Sequence, residues 1–352
     1  MFNDLLKTDD DVETIVVCSG GGSRGLWQWL LLLLIATRFK ISKICGTSAG
    51  AINAVAFGKG HFAQQYATMF YKRVFAEDAA PITGPGLAEI KNGKLKFNLA
   101  NIKKYLLKGI NLWDTFKLVT EKGQRKLIDQ LLQNVLSAPT LLDNAPLYER
   151  IRDLQEINPG YEIDTFWNRV NMRTGELEEF GSDKPQDSED EVDSIVASTT
   201  IPLLWPLVKN KFADGGLREG TPLAQIFEKI KEERKVNPSK KYRIIILECS
   251  KDTMPEDTSL DNPIDVVSQM ISIQMNESRR NDKKQLIDKN KEALDAIAAG
   301  IPTSLVPVDI YHLTYPGTKS SLDFSQEAEA DFTKYAHDVW ETFITAYDHQ
   351  AA

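Results

Sequence analysis

Along the chain, short runs rich in β-branched residues alternate with longer stretches of helical periodicity. "TIVVC" (14–18) and "ISKIC" (41–45) are bounded by glycines or polar turns, as strands buried in a sheet are. Residues 24–37 predict a helix, and "GTSAGAINAVAFG" bends sharply into a second one closed by Gly58 or Gly60. Two strand–turn–helix units within about 50 residues predict a parallel sheet covered by helices. "APLYERIRDLQEI" predicts a helix, and "DTFWNRVNMRTGELEEF" two strands around Thr174–Gly175. "SDKPQDSEDEVD" reads as a solvated acidic loop before the short helix "SIVAST". "PLVKNKFADGG" reads as a strand with a tight end, and "YRIIILECS" as a strongly buried strand. Residues 263–299 predict one long helix or two joined, "LVPVDIYHLTYP" another strand, and 326–347 a closing helix.

Between Pro81 and Thr140 the pattern becomes helical and irregular. The expected architecture is α/β: a three-layer α/β/α domain with a mainly parallel central sheet over residues 14–347. A helical cap or insertion is expected at 80–140, and tails at 1–13 and 348–352. No repeat or low-complexity linker divides the chain.

Composition narrows the chemistry only a little. The 352 residues are 42% hydrophobic and 26% charged, ordinary values for a chain with a substantial core. The net charge of −8 argues against a general nucleic-acid partner, because phosphates would be repelled. Cys18, Cys45 and Cys249 each end an apolar run, and their odd number gives neither a disulfide framework nor a metal site. Three such thiols suit a reducing, cytoplasmic compartment. The acidic N-terminus lacks the basic-then-apolar order of a signal peptide. The run "WLLLLLIA" is far short of the roughly 20 residues that a membrane span needs.

The glycine turn "SGGGSRG" (19–25) sits between a predicted strand and a predicted helix. So much bare backbone suits a phosphate, a dinucleotide or a transient oxyanion. A dinucleotide site also wants an acidic residue about 20 positions on. None occurs between Glu13 and Glu77. A P-loop needs Lys after its last glycine, where Leu26 stands. The third possibility draws on Gly46-Thr47-Ser48-Ala49-Gly50, a G-x-S-x-G turn from strand into helix. At such an elbow the serine is exposed at a helix N-terminus, and small residues let strand and helix approach. If the two strands are neighbours, Gly20, Gly21 and Gly22 lie beside Ser48, with amides ready for an oxyanion. The plain alternative is a pair of tight structural turns.

A base for Ser48 comes from a short field of candidates. His61 follows the helix after the elbow, and His337 and His349 lie in the polar C-terminal helix. His312 alone could complete a triad in the order Ser48, Asp214, His312, but it lies mid-strand without the loop such a histidine uses. Asp214, in "KFADGGL", ends a strand before two glycines. That exposes a carboxylate to a close partner, and partial desolvation would make it a usable base. An Asp that merely caps a D-G turn is the competing explanation.

The ordered pieces "GGGSRG", "GTSAG", "ASTTIP" and "ADGG" resemble the patatin-like phospholipases. "NMRTGELEEF", "TPLAQIFE" and "SLDFSQEA" resemble further stretches of the bacterial branch. The resemblance runs from about Thr14 to about Tyr347, with residues 80–140 unmatched. It implies acyl-ester hydrolysis by a Ser-Asp dyad, with Ser48 as nucleophile, Asp214 as base and no catalytic histidine. Gly21 and Gly22, with Gly20 nearby, form the implied oxyanion hole. Arg24 stands at the family's basic position and is expected to order that loop. Gly25, Gly46, Gly50, Gly215 and Gly216 support the motifs. Ala197, Ser198 and Pro202 match a structural block without chemistry. Cys18 stands where members often carry a small or acidic residue.

The implied substrate is a phospholipid or other acyl-lipid, with no metal or cofactor. Other functions of the same fold are a non-lipid esterase or thioesterase, a storage or scaffold protein, and a ligand-gated effector. Residues 89–114 add one local feature. Lys91, Lys94, Lys96, Lys103, Lys104 and Lys108 face only Glu89 and Asp114 in charge. Ile102, Tyr105, Leu106, Ile110 and Trp113 recur at helical spacing, which predicts a basic amphipathic helix for a peripheral membrane contact. An ordinary cap helix packed on the domain is the alternative.

Overall fold

The structure is a computed structural model that describes residues 12–77, 79–108, 129–130, 140–184, 187–250, 263–301 and 307–351. The chain begins β1 (Val12–Cys18), α1 (Gly25–Arg38), β2 (Ile41–Gly46), α2 (Ala49–Gly58) and α3 (His61–Ala76). Small pieces follow: β3 (Gly84–Pro85), β4 (Ala88–Lys91), β5 (Lys94–Phe97), α4 (Leu99–Leu106) and β6 (Leu142–Asp143). Then come α5 (Ala145–Ile157), β7 (Asp164–Asn171), β8 (Leu177–Gly181), α6 (Ser188–Ser198) and β9 (Phe212–Asp214). The chain closes with α7 (Ala224–Val236), β10 (Lys241–Glu248), α8 (Pro263–Ala298), β11 (Asp309–Thr314) and α9 (Gln326–Ala351).

The main sheet has the order β11-β10-β1-β2-β7-β8. Its first five strands are parallel, and β8 and β9 run antiparallel to β7. Alternate residues of one strand feed opposite faces, as the two-residue period of a strand requires. Val16, Ile44, Trp167, Ile245 and Leu247 join the core beneath α1, α2, α3, α5, α6 and α9. Ile15, Val17, Cys45, Phe166, Ile244 and Ile246 join the core beneath α7 and α8. Three layers result, with a mainly parallel central sheet. Helices on both faces explain why β1 and β10 read as continuous apolar runs.

Register places β9 exactly where the site needs it. Phe166 and Trp167 of β7 pair with β2 and with β8, so β2 and β8 lie on opposite edges of β7. Arg169 and Val170 pair with β8 and with β9, so β9 lies on the edge that β2 occupies. Strand β2 runs parallel to β7 and ends opposite Trp167, while β9 comes the other way and ends opposite Arg169. Their carboxyl ends therefore meet head to head.

Three sequence expectations need correction. Residues 80–140 are not simply helical. Lys91-Asn92-Gly93-Lys94 closes a β-hairpin, with Asn92 and Gly93 at φ 52° and 67°. Asn-Gly is the favoured two-residue hairpin loop, because both positions need positive φ. Lys91, Lys94 and Lys96 thus belong to strands and not to an amphipathic helix, which holds only Lys103 and Lys104. Ile110, Trp113 and Asp114 lie outside the described residues. Second, much of the acidic loop is helix. Asp187 caps α6 by accepting the Asp190 N–H at 2.8 Å, and Glu189, Asp190 and Glu191 sit in the first turn, where the helix dipole favours them. Third, the strand before Asp214 is only three residues long, because Lys209 and Asn210 turn the chain with positive φ.

A buried ion pair anchors the far end of α2. Lys59, just after the helix, lies 3.1 Å from Glu191 of α6. It also donates to the Asn158 carbonyl and sits over the Tyr161 ring. Glu191 accepts from Tyr161 and Gln155 as well. Burial pushes the Lys59 ammonium down, and Glu191 opposes that. Lys59→Met should therefore cost about 3 kcal/mol in urea unfolding, because it strands a buried carboxylate. Adding Glu191→Leu should recover most of the loss, and a neutral Lys59→Met would show that the pair anchors nothing.

Candidate active site

Ser48 sits between the end of β2 and the start of α2, with φ 58° and ψ −130°. That conformation is strained for a residue with a side chain. The neighbouring glycines explain how it persists. A Cβ on Gly46 would lie 1.9 Å from the Gly50 carbonyl oxygen, and one on Gly50 would lie 2.2 Å from that of Cys18. Strand β1, the elbow and α2 are pressed together at bare backbone. The Ser48 side chain makes no capping bond to α2, so its hydroxyl is not committed to the helix. Its N–H donates to the Ser198 hydroxyl at 3.0 Å. Ser198 therefore holds the elbow backbone, while Ala197 is buried core and the first residues past Thr200, Pro202 included, form a loop.

Asp214 arrives from the opposing strand end. Its carboxyl is fully buried, and Oδ1 accepts the Gly216 N–H at 2.7 Å. Burial raises the carboxyl to about 7; the Ser48 hydroxyl, the Gly216 amide and the Arg279 guanidinium all pull the other way. The contact with Ser48 is loose. The hydroxyl is near enough to favour the ionised carboxyl, yet Oδ2 has no hydrogen bond of ordinary length and angle among the described residues.

Asn168 of β7 braces both strand ends. Its Oδ1 accepts from Thr47 at 3.0 Å, and its Nδ2 donates to the Glu219 carboxylate at 3.1 Å. A Cβ on Gly215 would strike Asn168 Oδ1 at 1.9 Å, and one on Gly216 would meet the Met275 methyl at 2.7 Å. The two glycines after Asp214 thus answer to crowding from β7 and α8.

The glycine turn lies against Ser48, as expected. A Cβ on Gly20 would stand 3.0 Å from Ser48 Cβ and 3.7 Å from its Oγ. A Cβ on Gly21 would overlap the Cys249 side chain, and Gly22 has φ +57° against the Ser321 carbonyl. The Gly20 N–H points to the Gly220 carbonyl at 3.4 Å. The N–H groups of Gly21 and Gly22 have no acceptor among the described residues. Of the three glycines, only these two keep backbone donors without an acceptor among the described residues. Gly25 packs α1 against Tyr71 and Ala49.

Arg24 ties the turn down. It donates to the carbonyls of Lys319 at 2.8 Å and Cys249 at 3.2 Å, and lies over the Tyr315 ring.

Two neighbours carried no mark in the sequence. Arg279 of α8 donates to Ser250 and Asn276, and its charge acts on Asp214, Arg24 and Cys249. Burial pushes the Cys249 thiol up to about 12, which keeps it neutral beside the glycine turn. His312 is not brought to the site. It is exposed on edge strand β11, separated from β2 by β10 and β1. His61 opens α3 beside Gln65, and His337 and His349 lie on α9. Among the described residues no group of three or more His, Cys, Asp or Glu side chains is arranged to hold a metal ion.

The buried carboxyl gives a stability test. Its folded value lies above that of the unfolded chain, so the folded state holds the proton longer as pH rises. Asp214 then costs no stability below about pH 4, and its burden grows until about pH 7. Asp214→Asn should stabilise the protein at pH 8 by up to about 4 kcal/mol, and hardly at all at pH 4. Thermal melts at the two pH values check this; equal effects at both would mean that the carboxyl is not held near 7.

Comparison with known proteins gives the family. A family model described as Patatin-like phospholipase matches residues 16–227, more than half of the chain. The match includes the glycine turn, the elbow and Asp214, and ends before β10 and α8. No curated protein matches the sequence. Among solved structures, the chain is similar to VipD from Legionella pneumophila at 13% identity and a TM-score of 0.35, over 94% of this chain and 67% of that one. The chain belongs to the patatin-like phospholipase family.

Proposed function

We propose that the protein is a serine acyl-ester hydrolase acting on phospholipids or related acyl-lipids through Ser48 and Asp214. The observation that supports this best is the head-to-head approach of β2 and β9. It sets a buried carboxyl near a strained serine whose hydroxyl makes no capping bond to α2. Asp214 accepts the Ser48 proton as Oγ attacks the ester carbonyl. The oxyanion forms against the N–H groups of Gly21 and Gly22, each such donor contributing about 2.7–4 kcal/mol. Asp214 then passes the proton to the leaving alcohol, and an acyl-serine remains. Water attacks next while Asp214 takes its proton; the acyl–Oγ bond then breaks, Asp214 returns that proton to Ser48 Oγ, and the carboxylic acid leaves. A carboxylate raised to about 7 suits this work near neutral pH, and no histidine takes part. Arg24 holds the glycine turn in place, and no step needs a metal or cofactor. The three free, buried thiols fit a cytoplasmic setting.

Ser48→Ala and Asp214→Ala should each lower hydrolysis of a soluble short-chain ester by about 10⁴-fold or more, while circular dichroism stays unchanged. The double variant should be no slower than either single one. Full activity in folded Asp214→Ala would exclude the dyad. His312→Ala should stay within a few-fold of wild type, given its place on the edge strand.

The pH profile is a separate check. Because the ionised carboxyl is the base, kcat/KM should be flat above about pH 7 and fall tenfold per unit below it. A profile flat down to pH 5 would rule out Asp214 as base.

A further inference from the structure

The hairpin β4–β5 and helix α4 present a surface that the proposed reaction leaves unused. Residues 88–108 hold six lysines and one acidic residue, Glu89, in a protein of net charge −8. Lys91, Lys96, Lys103 and Lys104 are all exposed. At the two ends of α4, Leu99 and Leu107 lie four residues either side of Lys103 and are also exposed, Leu99 at 76%, as is Phe97 at the end of β5. Such exposed apolar side chains beside lysines are not part of the core that the described residues form. They match a boundary where lipid head groups give way to acyl chains.

The position of this surface matters as much as its composition. Gly93 at the hairpin turn packs on Ser325, where a Cβ would lie 2.5 Å from the Ser325 nitrogen. The segment just before Ser325 supplies the carbonyls of Lys319, Ser320 and Ser321 that hold Arg24 and Ser23 of the glycine turn. On its other side, the Ala88 N–H donates to the Leu141 carbonyl, and the Leu141 N–H to that of Leu203. Leu203 is itself exposed, and nearby Thr200 accepts the Asp214 N–H at 2.9 Å. The basic, apolar surface is thus joined by short contacts to both the glycine turn and the Asp214 strand.

We propose that β4–β5 and α4 form a docking surface for an anionic lipid bilayer, on the rim of the Ser48–Asp214 site. Leu99 and Leu107 enter the head-group boundary, and the lysines meet anionic head groups. The ester bonds of a bilayer lipid lie at that depth, so docking here brings substrate to the glycine turn. The inference rests on the acyl-lipid reading for its purpose, but its test does not need turnover.

The Ser48→Ala form, which keeps the surface, is floated with phosphatidylcholine vesicles that contain or lack phosphatidylglycerol. Binding is expected only with phosphatidylglycerol and should weaken as salt rises. Lys103→Glu with Lys104→Glu should weaken it by at least about 30-fold at low salt. Leu99→Ser should weaken it at every salt concentration. In the Ser48-containing protein, the lysine pair should leave hydrolysis of a soluble short-chain ester unchanged. If the lysine pair fails to fold by circular dichroism, Lys91→Glu on the hairpin makes the same test. Equal binding to neutral vesicles, or binding indifferent to these substitutions, overturns the proposal. So does retention on heparin without any partition to vesicles, which would mark a plain polyanion site. If vesicle binding follows the substitutions while no ester is cleaved, the docking surface stands and the hydrolase reading falls.

Discussion

The site depends on one feature of the sheet: a single edge of β7 serves two strands that arrive from opposite directions. Strand β2 uses the first half of that edge and stops at Gly46; β9 uses the second half and stops at Asp214. Neither strand can lengthen without displacing the other. The candidate residues Ser48 and Asp214 lie at the gap between them. The elbow leaves β2 there, the two glycines leave β9 there, and Asn168 stands on β7 between them with hydrogen bonds to Thr47 and Glu219. The backbone ladders of a sheet are stiff, so the serine and the carboxyl are set by strand register rather than by flexible loops.

Burial sets the basicity of Asp214. A carboxyl in water is a weak base because its proton affinity is low. Enclosure raises that affinity, and the Ser48 hydroxyl, the Gly216 amide and Arg279 keep the rise within the neutral range. Helix α8 contributes more than Arg279. Gln274 donates to the Leu217 carbonyl, while Ser278 and Asp282 accept the N–H groups of Gly220 and Thr221. The turn that carries Asp214 is therefore clamped by a helix beyond the family match. The same helix places the Met275 methyl against Gly216.

The rest of the rim extends the same logic outward. The glycine turn is held by Arg24 against the segment before α9, and that segment carries the hairpin turn at Gly93. The hairpin β4–β5 is thus fastened at Gly93 to the segment before α9 and at Ala88 to Leu141. Its Asn92–Gly93 turn folds β5 back along β4, just before α4.

Much of this was legible in the residues themselves. The layered α/β class follows from the alternation of β-branched runs and helical periods. The elbow, the glycine turn and the Asp-Gly-Gly end follow from local backbone needs, because small residues at fixed spacing imply tight turns whatever surrounds them. The Asn92–Gly93 hairpin and the Asp187 cap are equally local, and were obscured only by the charged residues around them. What no local pattern carried is which turns meet. Ser48 and Asp214 come together through the order and direction of strands in the sheet. Ser198, Asn168 and Arg279 gain their roles only because α6, β7 and α8 are packed against that junction. Periodicity encodes which face of an element is apolar, whereas the neighbour that covers the face is selected by the packing of the whole chain.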